Sequence, residues 1–445
     1  MTATHAIDTL IEARWIIPVE PSGTVLPDHS IAVANGRIVA ILPTAEARLR
    51  FVAAQYHKLT DHVLIPGLIN LHTHAAMNLL RGYADDRPLM EWLKGHIWPA
   101  ETRHVSPEFV RDGARLACAE MLKGGVTCFN DMYFFPEAVA EAAVSCGMRA
   151  AIGMLVIDFP TAYASDPDDY LDKGLAMRDR LNDEPLLSFT LAPHAPYTLT
   201  NSSFEKVIAF ADQLDLPIHL HLHETLDEIE QSLAQYRQRP LARLHELGLT
   251  GPNLIAVHAV HLNADEQSLL AQYGSHIAHC PASNLKLASG FAPVASMLER
   301  GLNVGIGTDG AASNNKLDMF DEMRLAALLA KGVSGDAAAL PAATALQMAT
   351  LNGARALGLD ATIGSLLPGK YADIVAVELS QLDTLPCFDP IAALVYSGGR
   401  NLVSHVWING ELLVEDRQFS RLDERALKIN AHIWQNRIRP PFSYP

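Results

Sequence analysis

The chain has 445 residues, 49% of them hydrophobic and 19% charged, with 34 Lys+Arg against 50 Asp+Glu and a formal charge of −16. At roughly 150 residues per domain this is about three domains, or one large barrel with an appendage, and the composition is globular rather than disordered. An acidic chain without a basic run argues against general binding to nucleic acid or to an anionic membrane surface.

The amino-terminal text, MTATHAIDTL, has no basic segment followed by an apolar one, so no secretory leader is expected. Residues 1–65 read as short strands, with Asn35-Gly36 as a tight-turn pair. Residues 366–420 carry the same kind of text, including YADIVAVEL and LVSHVWINGELLVED, with a second pair at Asn409-Gly410. The two ends are therefore expected to build one split β-sandwich domain. A helical tail is predicted over 421–445, running from Arg421 to Trp434 and stopped by Pro440-Pro441.

Residues 66–365 behave differently. Eight apolar runs alternate with helical patterns: Leu64–His74, Val126–Tyr133, Arg149–Ile157, Leu186–His194, Pro217–Glu224, Asn253–Leu262, Ser275–Pro281 and Asn303–Gly310. Eight strand-then-helix units predict an α/β fold, a (β/α)8 TIM barrel. A doubly wound sheet would favour a GxGxxG turn after its first strand, and none is present there. The longest uncharged stretches, such as Ala337–Ala354, are broken by Pro341, Asn352 and Gly353, so none predicts a membrane span. The five cysteines, Cys118, Cys128, Cys146, Cys280 and Cys387, are widely spaced without a CxxC. That suits free thiols in a reducing compartment, and a cytoplasmic location is expected.

Polar residues gather where these strands end. His72 and His74 stand two apart in PGLINLHTH, a spacing that puts both imidazoles on one face of a strand. His219, His221 and His223 alternate with aliphatic residues in LPIHLHLHE, which predicts three imidazoles on one face, with His219 the deepest and hydrogen-bonded in the core. His194 closes the fourth run, Glu224 the fifth, His258 the sixth and Asp309 the eighth. Barrel enzymes build their sites at the carboxyl ends of the strands, so this conjunction predicts a mononuclear metal hydrolase. The donor types are imidazole and carboxylate without thiolate, which suits zinc first and iron second.

With LHTHAAMNLLRGYADD, WLKGHIWPAE, APHAPY, HLHETLDE, HCPASNLKLASG and GTDGAASNN in view, the sequence resembles the amidohydrolase superfamily. Within it the chain looks most like the 5′-methylthioadenosine/S-adenosylhomocysteine deaminases. The resemblance implies a single divalent ion held by His72, His74, His221 and Asp309. It implies that Glu224 contacts the purine and shuttles protons, that His258 orients the attacking water, and that Glu101 and His194 contact the nucleoside. Trp92 would either pack on the ligand or serve as a buried structural residue. A homo-oligomer acting on a small nucleoside, with neither nucleic acid nor membrane as partner, is expected.

Other aminohydrolases of the same branch, acting on guanine, 8-oxoguanine or triazines, are the alternative enzymes. A non-catalytic barrel would have lost a ligand, whereas all four are present. One departure from the family pattern stands out. An arginine usually found on the third strand or just after it is missing: RAAIGMLVIDFP has only Arg149, at its start, and TAYASDPDDY has none. The expected consequence is a preference for 5′-methylthioadenosine over S-adenosylhomocysteine, with Met154, Phe159 and Tyr163 as candidates for an apolar wall.

Overall fold

The computed structural model describes residues 5–439. Met1–Thr4 and Pro440-Pro441, on which the readings of the two chain ends partly rest, lie outside the described residues. The backbone clusters into two compact units: the chain up to Asn70 with Met121–Cys128 and Asp318–Arg421, and Leu71–Glu120 with Phe129–Leu317 and the chain from Leu422.

The first unit holds one mixed eight-stranded sheet built from both chain ends. Its strand order is Gln418–Phe419, Glu411–Glu415, Val403–Ile408, Ile374–Glu378, Phe51–Pro66, His5–Ile16, Leu26–Ala34 and Arg37–Pro43. Only the central pair, His5–Ile16 with Phe51–Pro66, runs parallel; the other pairings are antiparallel. Ile11, Ile31, Ile38, Leu64, Ile374 and Trp407 belong to one apolar cluster, so strands from both ends share a core, as the split domain required. Both predicted turns form with positive φ at each central residue: 52° and 73° at Asn35-Gly36, 53° and 76° at Asn409-Gly410. Asparagine and glycine tolerate that region, and it is the one a two-residue hairpin turn needs.

The second sheet is the barrel. Leu68–Thr73, Val126–Met132, Arg149–Val156, Leu187–Pro193, Ile218–Leu222, Leu254–His258, His276–His279 and Asn303–Ile306 lie side by side in chain order. From the third strand to the eighth, neighbouring strands pair in parallel. All eight predicted runs supply a strand. Gly307 marks where the last strand meets the first: a Cβ there would fall 2.7 Å from the backbone nitrogen of His72. That close approach lets the Asp309 N–H donate to the His72 carbonyl at 2.9 Å. The closure of the barrel therefore sets Asp309 beside His72.

The tail forms the helix Glu424–Ile438, which begins at Glu424 because the Asp423 side chain caps it by accepting the Ala426 N–H. Its Trp434 indole donates to Asp112 at 2.8 Å and meets Phe109 edge-on at 5.3 Å. Among the described residues no helix is long and apolar enough to cross a membrane.

Candidate active site

The carboxyl ends of the barrel strands converge on a cavity of about 570 Å³. His74, Glu101, His194, His221, Glu224, His258 and Asp309 all line it, and His72 is fully buried beside it. Two groups of donors there lie with their ligand atoms within 4.8 Å of one another: His72, His74 and His221, and His72, His258 and Asp309. They overlap in His72, so one small volume is faced by imidazole nitrogens and a carboxylate.

Hydrogen bonds behind the donors fix which atom points inward. His74 Nδ1–H donates to the Met132 carbonyl at 2.5 Å, and His221 Nδ1–H donates to the His194 carbonyl at 2.7 Å. Each leaves Nε2 as the nitrogen turned to the shared volume. His72 Nδ1 pairs with His219 Nε2 at 2.9 Å, and the buried His72 Nε2 has no hydrogen-bond partner. Asp309 Oδ1 lies 3.3 Å from that nitrogen and 3.2 Å from His74 Nε2. The other Asp309 oxygen accepts from the hydroxyls of Ser283 (2.6 Å) and Ser313 (2.9 Å). Burial opposes ionisation of Asp309, but the His72 and His74 rings beside it outweigh this and hold it well below the usual carboxylate range. Burial drives His221 far below the usual imidazole range, with the surrounding histidines adding to the effect, so its ring is neutral at pH 7. Imidazoles oriented by the hydrogen bonds behind them, an ionised carboxylate and an unpartnered buried nitrogen form a donor set that fits one divalent ion.

His258, Glu224, Glu101 and His194 complete the polar lining of the cavity. His258 donates from Nδ1 to Asn284 Oδ1 at 2.8 Å, and its Nε2 sits 3.8 Å from Glu224 Oε2. His258 and Asp309 both adopt left-handed backbone, with φ of 69° and 62°. For His258 that conformation costs about 1–3 kcal/mol, which the surrounding structure has to over-determine. Burial raises the Glu224 carboxyl above its ordinary value, so this group can hold a proton. Across the cavity, Glu101 on the helix Trp98–His104 accepts the Tyr133 phenol at 2.7 Å. Burial pushes Glu101 up to about 7 against the lowering effect of that hydrogen bond. His194 is pushed down to about 3 by burial and stays neutral.

Several readings change in detail. His223 does not share a face with His219 and His221, because the strand ends at Leu222 and His223 takes a φ of 55°. Its Nε2 instead accepts the Leu241 N–H at 3.1 Å, and Glu266 lies 3.6 Å from Nδ1. His219 lies beneath His72 as a hydrogen-bonded core residue. Trp92 is buried and lines the cavity. Of the three wall candidates Phe159 lines it; Met154 packs against Gly174 and Tyr163 against Phe135 and Tyr170. Leu155 and Ile157 complete the wall from the same strand and its end. Among the described residues no lysine or arginine lines the cavity. Arg149, at the opposite end of its strand, donates to the Pro185 carbonyl at 3.3 Å.

Sequence reasoning missed Tyr133, Ser283, Asn284, Ser313 and Glu228. Ser283 and Asn284 stand inside the HCPASNLKLASG segment, so that motif carried their signal without their roles. Tyr133 directly follows the second strand, a position that could have been read in the same way as His74.

An amidohydrolase family model matches residues 63–413. The chain belongs to the amidohydrolase family. It is 47% identical over 438 residues to a 5-methylthioadenosine/S-adenosylhomocysteine deaminase of Teredinibacter turnerae, covering 98% of this chain and 99% of the relative. A protein of the same name from Saccharophagus degradans is 46% identical over 439 residues, with 99% and 98% covered. Among solved structures, an adenosine deaminase from Xanthomonas campestris with bound zinc aligns with a TM-score of 0.97 at 52% identity, covering 98% of this chain and all of that one. An atrazine chlorohydrolase from Arthrobacter aurescens complexed with zinc aligns with a TM-score of 0.89 at 26% identity, covering 96% and 99%. This amidohydrolase is thus closely related to the methylthioadenosine deaminases over its whole length.

Proposed function

We propose that this amidohydrolase deaminates an adenine nucleoside by hydrolysis, with 5′-methylthioadenosine as its preferred substrate and 5′-methylthioinosine and ammonia as products. The observation that carries the reading is one cavity joining the His/Asp donor cluster to Glu224, Glu101 and an uncharged apolar wall. His72, His74, His221 and Asp309 would hold the ion, zinc by analogy with the zinc-bound relatives. Such an ion, when bound, is a Lewis acid that makes water nucleophilic at neutral pH.

The remaining chemistry belongs to the chain's own groups. Attack of water at purine C6 puts negative charge on the ring unless N1 takes a proton, and Glu224, raised by burial, is placed to supply it. His258 Nε2 would hydrogen-bond the oxygen added at C6, its ring held by Asn284. Asp309 is the base for the water proton, kept ionised by His72 and His74. Glu101 and His194 would contact the nucleoside. A proton passed to the amine lets it leave as ammonia, so water and substrate are fully accounted for in the two products.

The four buried cysteines and half-buried Cys387 are all free thiols, which supports a reducing, cytoplasmic setting. A homo-oligomer is part of the same proposal, carried by the family resemblance. The test is ammonia release across a panel of 5′-methylthioadenosine, S-adenosylhomocysteine, adenosine, guanine, 8-oxoguanine and a triazine. Turnover confined to guanine or triazine would replace this reading with another aminohydrolase activity.

A further inference from the structure

The sheet domain carries a second histidine cluster that the proposed deamination does not use. His57 lies on the strand Phe51–Pro66, His405 on Val403–Ile408, and Glu415 ends Glu411–Glu415. Each brings one ligand atom to within 4.8 Å of the others. The three strands are not consecutive in the sheet, since Ile374–Glu378 lies between the first two. The curled face nevertheless brings the rings together: His57 and His405 have centroids 6.0 Å apart, and Trp407 stacks on His405 and meets His57 edge-on.

Two features mark the cluster as built for a ligand rather than as ordinary packing. The His57 Nε2 atom is buried and makes no hydrogen bond. An unpaired buried polar atom costs free energy, and a metal ion is one way to satisfy it. His405, in turn, is oriented from behind. Its Nδ1 shares a hydrogen bond of 2.8 Å with the Ser404 hydroxyl, while its Nε2 faces the Asp416 carboxylate at 3.8 Å. A ligating histidine is commonly held in this way, by a polar group on its other nitrogen. We infer that His57, His405 and Glu415 form a second divalent-cation site, of the zinc type, that ties three strands of the sheet together. Burial keeps both imidazoles below their usual range and thus neutral, as ligation needs. Glu415 and Asp416, both exposed, supply negative charge to balance the ion and leave it a route from solvent.

Two imidazoles and one carboxylate leave a fourth position for water or for Asp416, so weaker binding than at a closed four-ligand structural site is expected. The test is to titrate Zn²⁺ into the holoenzyme, its barrel ion in place, and count metal per chain after free ion is removed. Wild type should take up one further equivalent, and its melting temperature should rise with zinc concentration, because an ion bound only to the folded state stabilises it. The His57→Ala/His405→Ala double variant should take up none. Glu415→Gln changes an exposed residue and leaves the fold intact, so it covers the case in which the double variant fails to fold. It should bind the second ion about 10–100-fold more weakly, the loss seen even for groups that only support ligands. Ammonia release should be unchanged in Glu415→Gln, which separates this site from the one in the barrel. No further equivalent in wild type, or uptake by Glu415→Gln with wild-type affinity, would overturn the assignment.

Discussion

The carboxyl group of Glu228 accepts the backbone N–H of Glu224 through one oxygen and that of His223 through the other, both at 2.9 Å. Glu228 is buried at the first turn of the helix Leu226–Tyr236, which Thr225 caps. The chain leaves the fifth barrel strand at this point, and one side chain four residues on fixes the direction in which Glu224 projects. Glu228 is a positioning residue: it holds the backbone of Glu224, the proposed proton donor, and does not line the cavity.

Glu228→Gln keeps the shape but offers only one acceptor oxygen to two N–H groups. One buried N–H is left unpaired, at about 1–3 kcal/mol. Displacing Glu224 should lower kcat by up to about 100-fold, the scale of a 1 Å misplacement of a reacting group. KM and metal content should change little. Steady-state kinetics beside metal analysis checks this, and an unaltered kcat would mean that Glu224 is held by other contacts.

Glu224→Gln removes the acid proton and preserves the volume. Turnover should fall by roughly 10²–10⁴-fold, the usual scale of general acid–base catalysis, with bound metal retained. A near-wild-type rate would place the proton shuttle elsewhere.

The pH profile should report Glu101. Its carboxyl titrates near 7, so it is anionic above that pH and protonated below it. An anion accepting substrate hydroxyls loses acceptor capacity on protonation, so kcat/KM should fall as pH drops through about 7. Glu101→Gln should be weaker at high pH and should lose that limb. The limb surviving unchanged in Glu101→Gln would assign it to another group.

Much of this was legible in the sequence because it is periodic. Eight apolar runs became eight strands, and the two-residue spacing of His72 and His74 brought both rings to one donor cluster. The reading of His223 failed because its backbone turns to a φ of 55° just past its strand, whereas His74, also one residue past its strand, keeps a φ of −124°. The roles of Glu228, Asn284, Ser283 and Ser313 were not legible, since these residues hold His258, Asp309 and the Glu224 backbone. For Asn284 and Ser283 the contact crosses 26 residues and carries no local pattern.

The proposed preference for 5′-methylthioadenosine rests on a cavity that no lysine or arginine lines among the described residues. A methylthio group needs only the apolar wall of Leu155, Ile157 and Phe159. The homocysteine tail brings a carboxylate, and a hydrogen bond to a charged group is worth about 1.5–3 kcal/mol. Lacking it, S-adenosylhomocysteine should show kcat/KM lower by roughly 10–150-fold than 5′-methylthioadenosine. Equal values measured under one set of conditions would reveal a tail-binding group outside the cavity wall.

The most direct measurement is metal per chain alongside ammonia release from 5′-methylthioadenosine, in wild type and in His72→Ala. The expected result is that the variant carries one equivalent less than wild type and releases no ammonia above background, while wild type yields one ammonia per nucleoside consumed. A His72→Ala enzyme with wild-type metal content and full turnover would contradict the barrel site as the place where the deamination occurs.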